Sequence, residues 1–356
     1  MNLSQIISNY SFYWGMFLLI VLTISLVSNL AKTEKVLTAY RSNSVLARFL
    51  MFLNILFITF FVGADKPVYE EKFLDVCRYG FVSTDYLGWS WLTYCISFIT
   101  HSYIIYFFIL AFIYVVGNFM FCKFNSRNYL LLFVAVISFM GFYAYGVNTI
   151  KSGLGLSLLM LALCNIEKKK YIVALFMFLA YQIHHSTIIP IAAFIVAFNL
   201  RRTRYCYLGW FVCIGLSLFF GSFFRTYLGA YLGEDDRYTS YLMSGESERY
   251  QVGFRYDFLI YSAVPIIWGY LVEKWGYLNE HWILYFRAYI IANSFWILVI
   301  SMPFTDRVAY LSWFLIPYIL LVPILDGNAK IPNRKIFLFF SFFLFSGFNI
   351  YQLLFR

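Results

Sequence analysis

Charged residues in this chain are confined to short breaks between long apolar runs. Stretches such as Tyr10–Leu30, Tyr129–Val147 and Tyr205–Phe224 are long enough to cross a hydrocarbon core of about 30 Å. Backbone polar groups find no partner in lipid, so such runs must be helices. The pattern predicts crossings or part-crossings over 10–30, 47–63, 102–121, 129–147, 149–166, 171–183, 186–199, 205–223, 256–272, 282–303, 308–325 and 336–355, about twelve in all. Two central segments, Tyr171–Ile183 and Ser186–Asn199, are short; a helix of ~13 residues covers only about 20 Å. They meet at His184 and His185, which sets that corner below the membrane surface. Broken helices at that depth are tolerated where they line a cavity.

Composition sharpens this picture. With 62% hydrophobic and 12% charged residues over 356 positions, no stretch is left for a soluble domain with its own core. The expectation is an all-α polytopic membrane protein, a single membrane domain over 1–356. The start, MNLSQIISNY, has no Lys or Arg ahead of its apolar run, so a retained first helix is expected rather than a cleaved signal. The six cysteines are scattered, without a CxxC or a Cys/His cluster. Neither a disulfide framework nor a metal site is signalled, and no cofactor is expected.

Charge orients the chain. Basic residues gather on one set of loops: Lys32, Lys35, Arg41 and Arg48; Lys123 and Arg127; Lys168 to Lys170; Arg201, Arg202 and Arg204; Lys274; Lys330, Arg334 and Lys335. The positive-inside rule makes that face cytoplasmic and puts both termini outside. The net charge of +10 follows the membrane edges rather than forming one patch, so it does not imply nucleic acid. Two outer loops are long: 64–101, whose aromatic part from Ser90 to Thr100 reads as an interfacial helix, and 225–256. Polar material concentrated on the outer face puts the chemistry there.

Several constellations on that face carry reactive groups. In CRYGFVSTDYLGW, Arg78 suits a phosphate and Asp85 suits proton abstraction from a sugar hydroxyl; a solvated loop is the plain alternative. Outer aromatics such as Tyr86, Trp89 and Trp91 either form an interfacial belt or stack on sugar rings. Asn148 reads as the N-cap of a helix whose positive end and Lys151 favour an anion. Gly153, Gly155 and Ser157 form a small face for close helix approach. His184 and His185 sit at a break between segments, where a proton-handling or phosphate-contacting role is the default. Arg249, Arg255 and Asp257 mark the re-entry of the second loop, with Arg255 and Asp257 pairing as the bland reading. Asp306 and Arg307 close a possible ring of cations with Arg78, Arg249 and Arg255. Arg287 is read as snorkelling to the cytosol. The set suits a bound diphosphate beside a hydroxyl to be activated.

Four stretches in order, CRYGFVSTDYLGW, VNTIKSGLGLSLLMLAL, LAYQIHHSTIIPI, and GFRYDFLIYSAVP with TDRVAYLSWFLIP, resemble bacterial Wzy-type polysaccharide polymerases of the EpsG-like group. In that family the third stretch usually has one His before a small residue, so His185-Ser186 fits and His184 is extra. The family often has Arg where this chain has Lys151, which keeps a cation but loses bidentate geometry. The resemblance implies a metal-independent, GT-C-like glycosyltransferase of the bacterial inner membrane. It would join undecaprenyl-diphosphate-linked repeat units, donor and acceptor alike, into O-antigen or a related glycan on the periplasmic face, with Asp85 or His185 as the base. Arg78, Lys151, Arg249, Arg255 and Arg307 would contact diphosphate, supported by Tyr86, His184, Asp257 and Asp306. A chain-length regulator is the implied partner. A flippase for the same lipid and an O-antigen ligase are the alternatives; the absence of a twofold repeat weighs against the first.

Overall fold

The computed structural model describes residues 44–60, 63, 65–167, 169–232, 253–303, 305–326 and 329–355. The expected first crossing over 10–30, the stretch 31–43, Lys168 and Arg249 lie outside these residues. Among the described residues every regular element is helical. The first group is α1 (Ser44–Phe60), α2 (Lys66–Tyr79), α3 (Leu87–Ile99), α4 (Tyr103–Asn125), α5 (Tyr129–Ser138), α6 (Met140–Val147), α7 (Ile150–Leu163) and α8 (Lys170–Ile183). A 3-10 turn over His185–Thr187 leads to α9 (Ile188–Asn199), α10 (Arg204–Leu232), α11 (Tyr256–Lys274), α12 (Glu280–Leu298) and α13 (Thr305–Trp313). The last two are α14 (Ile316–Leu325) and α15 (Arg334–Phe355).

Three runs are long and apolar enough to cross a membrane alone, Tyr103–Asn125, Arg204–Phe224 and Thr305–Leu325. Tyr129–Ser138 with Gly141–Val147, bent by 69°, makes a fourth if counted as one span. The apolar α1, α3, α7 and α8 have only 13 to 17 residues, so each reaches ~20–25 Å against a core of about 30 Å. The chain is a helical membrane protein whose described part holds more short apolar helices than full-length spans. The 64–89 stretch read as loop carries α2. Its buried residues Phe73 and Val76 sit three apart, with Pro at the helix start, a helical signal that its charges hid. Gly80 ends α2 at φ 83°, a backbone that favours glycine.

The described residues form two compact units, those up to Thr187 with those from Leu320 onward, and Ile188–Ile319. In the first unit α4 packs on α1, α5 and α7, and α7 packs on α8. Small residues at two contacts, Gly117 on α4 and Gly155 on α7, permit this. A Cβ on Gly117 would lie 2.8 Å from the Ser157 side chain, and one on Gly155 would lie 2.6 Å from Thr187. The contact is also polar. Ser157 Oγ donates to the Tyr114 carbonyl at 3.1 Å, and Asn118 Nδ2 donates to Ser157 Oγ at 3.3 Å. Such hydrogen bonds hold helices together where lipid gives no hydrophobic drive.

The second unit is built around α12, packed by α9, α10, α11 and α13. Its core is aromatic, with Trp282, Trp296, Trp313, Tyr285 and Tyr289 fully buried. Each indole N–H there has an acceptor. Trp313 Nε1 donates to Ser262 Oγ at 2.7 Å, and Trp296 Nε1 to Thr305 Oγ1 at 2.9 Å. Trp210 Nε1 donates to Asn293 Oδ1 at 2.8 Å, while Asn293 Nδ2 donates to Ser262 and Ser312 at 3.1 Å each. A buried donor left unpaired would cost about 1–3 kcal/mol, so this network is what lets tryptophan fill the core.

Arg287 is half-buried on α12 and reaches the 200–203 loop, one of those read as cytoplasmic from charge. Its guanidinium donates to the Leu200 carbonyl at 2.6 Å and to Thr203 Oγ1 at 3.1 Å. It thereby covers carbonyls past the C-terminus of α9, where a cation is favoured. Thr203 Oγ1 in turn donates to Glu273 Oε1 at 2.6 Å, and Tyr207 donates to Glu273 Oε2 at 3.0 Å. Spacing along the chain carries no trace of this network, because its members are some 70 to 90 residues apart.

Candidate functional site

Three of the distant stretches meet in the first unit. The head of α3 brings Tyr86 and Trp89, the first turn of α7 brings Lys151 and Ser152, and the turn after α8 brings His184, His185 and Ser186. Close backbone approach assembles them. A Cβ on Gly88 would lie 2.6–2.8 Å from Gln182 atoms, and one on Gly155 would lie 3.7 Å from His184 Cβ. Glycine at both positions lets α3 and α7 seat against the end of α8. Before α3, Thr84 holds the entry: its amide donates to Ser90 Oγ at 3.0 Å, and the two hydroxyls lie 2.8 Å apart.

Lys151 sits in an aromatic cage. Its Nζ lies 4.3 Å from the Tyr86 ring centroid, 5.4 Å from Trp89 and 5.9 Å from Tyr69. Ring faces stabilise a desolvated ammonium by about 0.5–2 kcal/mol. The cage therefore keeps a cation at the head of α7 while it is half out of water. Tyr86 continues into the histidines, with ring centroids 5.4 Å from His184 and 4.9 Å from His185. His185 is flanked on its other side by Tyr181, 4.9 Å away. His184 is held at both ring nitrogens, Nε2 lying 3.1 Å from Ser152 Oγ and Nδ1 bonded to Ser186 Oγ.

The second unit has its own charged cluster at the start of α11. Arg255 grips Asp257 through both carboxylate oxygens, Nε at 2.9 Å and a terminal nitrogen at 2.6 Å. The guanidinium also lies 3.7 Å from the Phe258 ring centroid. The hydrogen bond to Asp257 raises the Arg255 pKa, and the charges of Asp257 and Asp306 add to the effect. A fork-on-fork pair of this kind is a strong charge-assisted contact.

A family model described as the EpsG family matches residues 44–356. The chain belongs to the EpsG family. No curated protein and no solved structure matches it. Membership in the EpsG family gives the chain a role in polysaccharide biosynthesis of the polymerase kind.

The residues singled out from the sequence of this EpsG-family chain fare differently. Tyr86, Lys151, His184 and His185 come together as described. Arg78 lies exposed in the last turn of α2, with Asp75 3.9 Å away. Asp85 is exposed beside Thr84 and Tyr86. Arg255 and Asp257 pair with each other. Asp306 and Arg307 stand in the first turn of α13, Asp306 half-buried and Arg307 exposed. Arg249 lies outside the described residues. Asn148 is not the N-cap of α7: its amide bonds back to the Ala144 carbonyl at 3.0 Å and ends α6, and Thr149 takes the cap position. The join between the two helices is too short to give Asn148 a free start of its own. Trp89 is 4% exposed, which suits a cage wall rather than an open sugar platform, whereas Trp91 is exposed. No group of three or more His, Cys, Asp or Glu residues able to hold a metal occurs among the described residues.

Two site residues escaped sequence reasoning, Tyr69 and Tyr181, while Ser152 and Ser186 were named within their stretches without a role of their own. Tyr181 precedes His185 by one helical turn, and the two serines adjoin Lys151 and His185, so part of the signal was present. Tyr69 lies on the helix that the sequence reading missed.

Proposed function

We propose that this chain polymerises lipid-linked oligosaccharide repeat units at the outer face of the bacterial inner membrane. The donor is a growing glycan on undecaprenyl diphosphate, and the acceptor is a repeat unit on the same carrier. The observation that carries this reading is the meeting of three separated stretches around one caged cation and two histidines, in a chain of the EpsG family. An acceptor hydroxyl attacks the anomeric carbon of the donor's reducing-end sugar, the bond to the diphosphate oxygen breaks, and the lipid diphosphate leaves. Lys151 neutralises charge developing on that leaving group. A nearby base takes the hydroxyl proton; Asp85 and His185 are the candidates from the sequence. Arg78 contacts further phosphate or glycan carboxylates, and both termini face the periplasm. In this reading the chemistry runs without a metal, because a fixed cation supplies the leaving-group stabilisation.

The test is reconstitution of the full chain in proteoliposomes with lipid-diphosphate-linked repeat units, with and without chelator. A ladder of products that persists in chelator is expected. Translocated but unjoined units would replace this reading with a flippase, and transfer of finished glycan to a different acceptor would replace it with a ligase.

A further inference from the structure

His184 looks redundant from the sequence, yet in the fold both of its ring nitrogens have partners. Nε2 faces Ser152 Oγ at 3.1 Å and Nδ1 bonds Ser186 Oγ, while the ring lies nearly parallel to Tyr86, at 22°. A neutral imidazole has one N–H donor and one accepting nitrogen. When Ser186 Oγ accepts from Nδ1–H, Nε2 is left to accept the Ser152 hydroxyl proton. Ser152 follows Lys151 in the first turn of α7, so a hydroxyl and a caged ammonium stand side by side at one helix end. The charged and titratable groups around the imidazole are Lys151 from α7, Tyr86 from the entry to α3, and Tyr181 and His185 from its own segment; Tyr69 of α2 stands behind Lys151.

We infer that Ser152 relays the acceptor's proton to His184, and that Ser186 positions His184 for the task. The inference rests on the polymerase reading and replaces both earlier base candidates. In the step, the acceptor oxygen bonds to the anomeric carbon as the carbon–oxygen bond to the lipid diphosphate breaks. The acceptor's proton passes to Ser152 Oγ, the Ser152 proton passes to His184 Nε2, and the resulting imidazolium later returns its proton to the departing diphosphate. No oxidant or further reactant is needed. Ser152 is the catalytic residue here because its oxygen touches the acceptor; His184 and Ser186 act through it.

The experiment measures initial elongation rates in proteoliposomes across pH 5–9 for the wild-type chain, Ser152→Ala, Ser152→Thr, His184→Gln and Ser186→Ala. Melting and monodispersity serve as the check on folding. General-base catalysis contributes roughly 100- to 10,000-fold, so Ser152→Ala and His184→Gln are expected to lose at least about 100-fold. Ser152→Thr, which keeps a hydroxyl, should recover most of the rate. The fall in rate at acid pH, where a proton-accepting imidazole is already charged, should vanish in His184→Gln and shift in Ser186→Ala. A purely structural role would lower rates equally at every pH and leave Ser152→Thr no better than Ser152→Ala. That pattern, or a wild-type rate in Ser152→Ala, overturns the relay while the wild-type ladder still stands. Absence of any ladder from the wild-type chain defeats the polymerase reading and the relay with it.

Discussion

The cage around Lys151 yields a prediction that does not depend on knowing the substrate. Tyr86 is the nearest ring, at 4.3 Å from Nζ, against 5.4 Å for Trp89 and 5.9 Å for Tyr69. A cation within about 6 Å of a ring gains ~0.5–1 kcal/mol when exposed and about 2 kcal/mol when desolvated. Lys151 is half-buried, which puts the Tyr86 contact near 1 kcal/mol on that scale. Tyr69, at the edge of the range, should contribute less than half as much. The measurement is a double-mutant cycle on unfolding free energy in nanodiscs with Tyr86→Leu, Lys151→Met and the double variant. Because Tyr86 also touches both histidines, only the cycle separates its contact with Lys151 from the rest. A coupling of about 1 kcal/mol is expected for Lys151 with Tyr86, and a smaller one for Lys151 with Tyr69. Tyr86→Phe should preserve the coupling, since the ring face and not the hydroxyl does the holding. A Tyr86 cycle that closes to within ~0.3 kcal/mol, the usual additivity error, would show that the cage does not hold the cation.

Three further outcomes follow from the packing. Lys66 is buried where α2 begins; its ammonium donates to the Ile58 and Thr59 carbonyls, and burial lowers its pKa to about 8. The unfolded chain keeps that proton to about pH 10.4, so stability should rise by about 3 kcal/mol from pH 8 to 10.5 and stay flat below pH 8. Thermal melts of Lys66→Met should lack that share of the rise; identical pH curves would count against the burial argument. Gly88→Ala must push α3 off the Gln182 backbone, at about 1–3 kcal/mol, and elongation should slow along with the loss of thermal stability. Arg287→Met strips the carbonyls past α9 and Thr203 of a charged donor, which predicts a loss of about 1.5–3 kcal/mol in denaturant unfolding; an unchanged midpoint would return Arg287 to a solvated role.

What was legible in the sequence follows from local rules. Runs such as Tyr103–Asn125 announce themselves because lipid admits only helices with few charges. The break at His184 and His185 was visible because both flanking segments are short, and Gly153 with Ser157 because a spacing of four puts them on one side of α7, whereas Gly155 faces Thr187 on the other. The charge-rich α2 was not seen, since a search for apolar runs passes over Tyr69, Phe73 and Val76 scattered among charges at helical spacing. The pairing of Arg255 with Asp257 stood open between two readings, because two residues' separation permits the contact without requiring it.

By itself the chain's hydropathy determined a helical membrane protein, and its ordered motifs determined which stretches to watch; both are properties of residues near one another in sequence. Only the tertiary structure decided that Lys151 is enclosed by rings from α2 and the entry to α3, that the seemingly spare His184 lies between two serines, and that Arg287 covers the carbonyls past α9. Those contacts join residues about 30 to 90 positions apart. Their geometry depends on where glycine lets two backbones touch, and no local pattern encodes that distance.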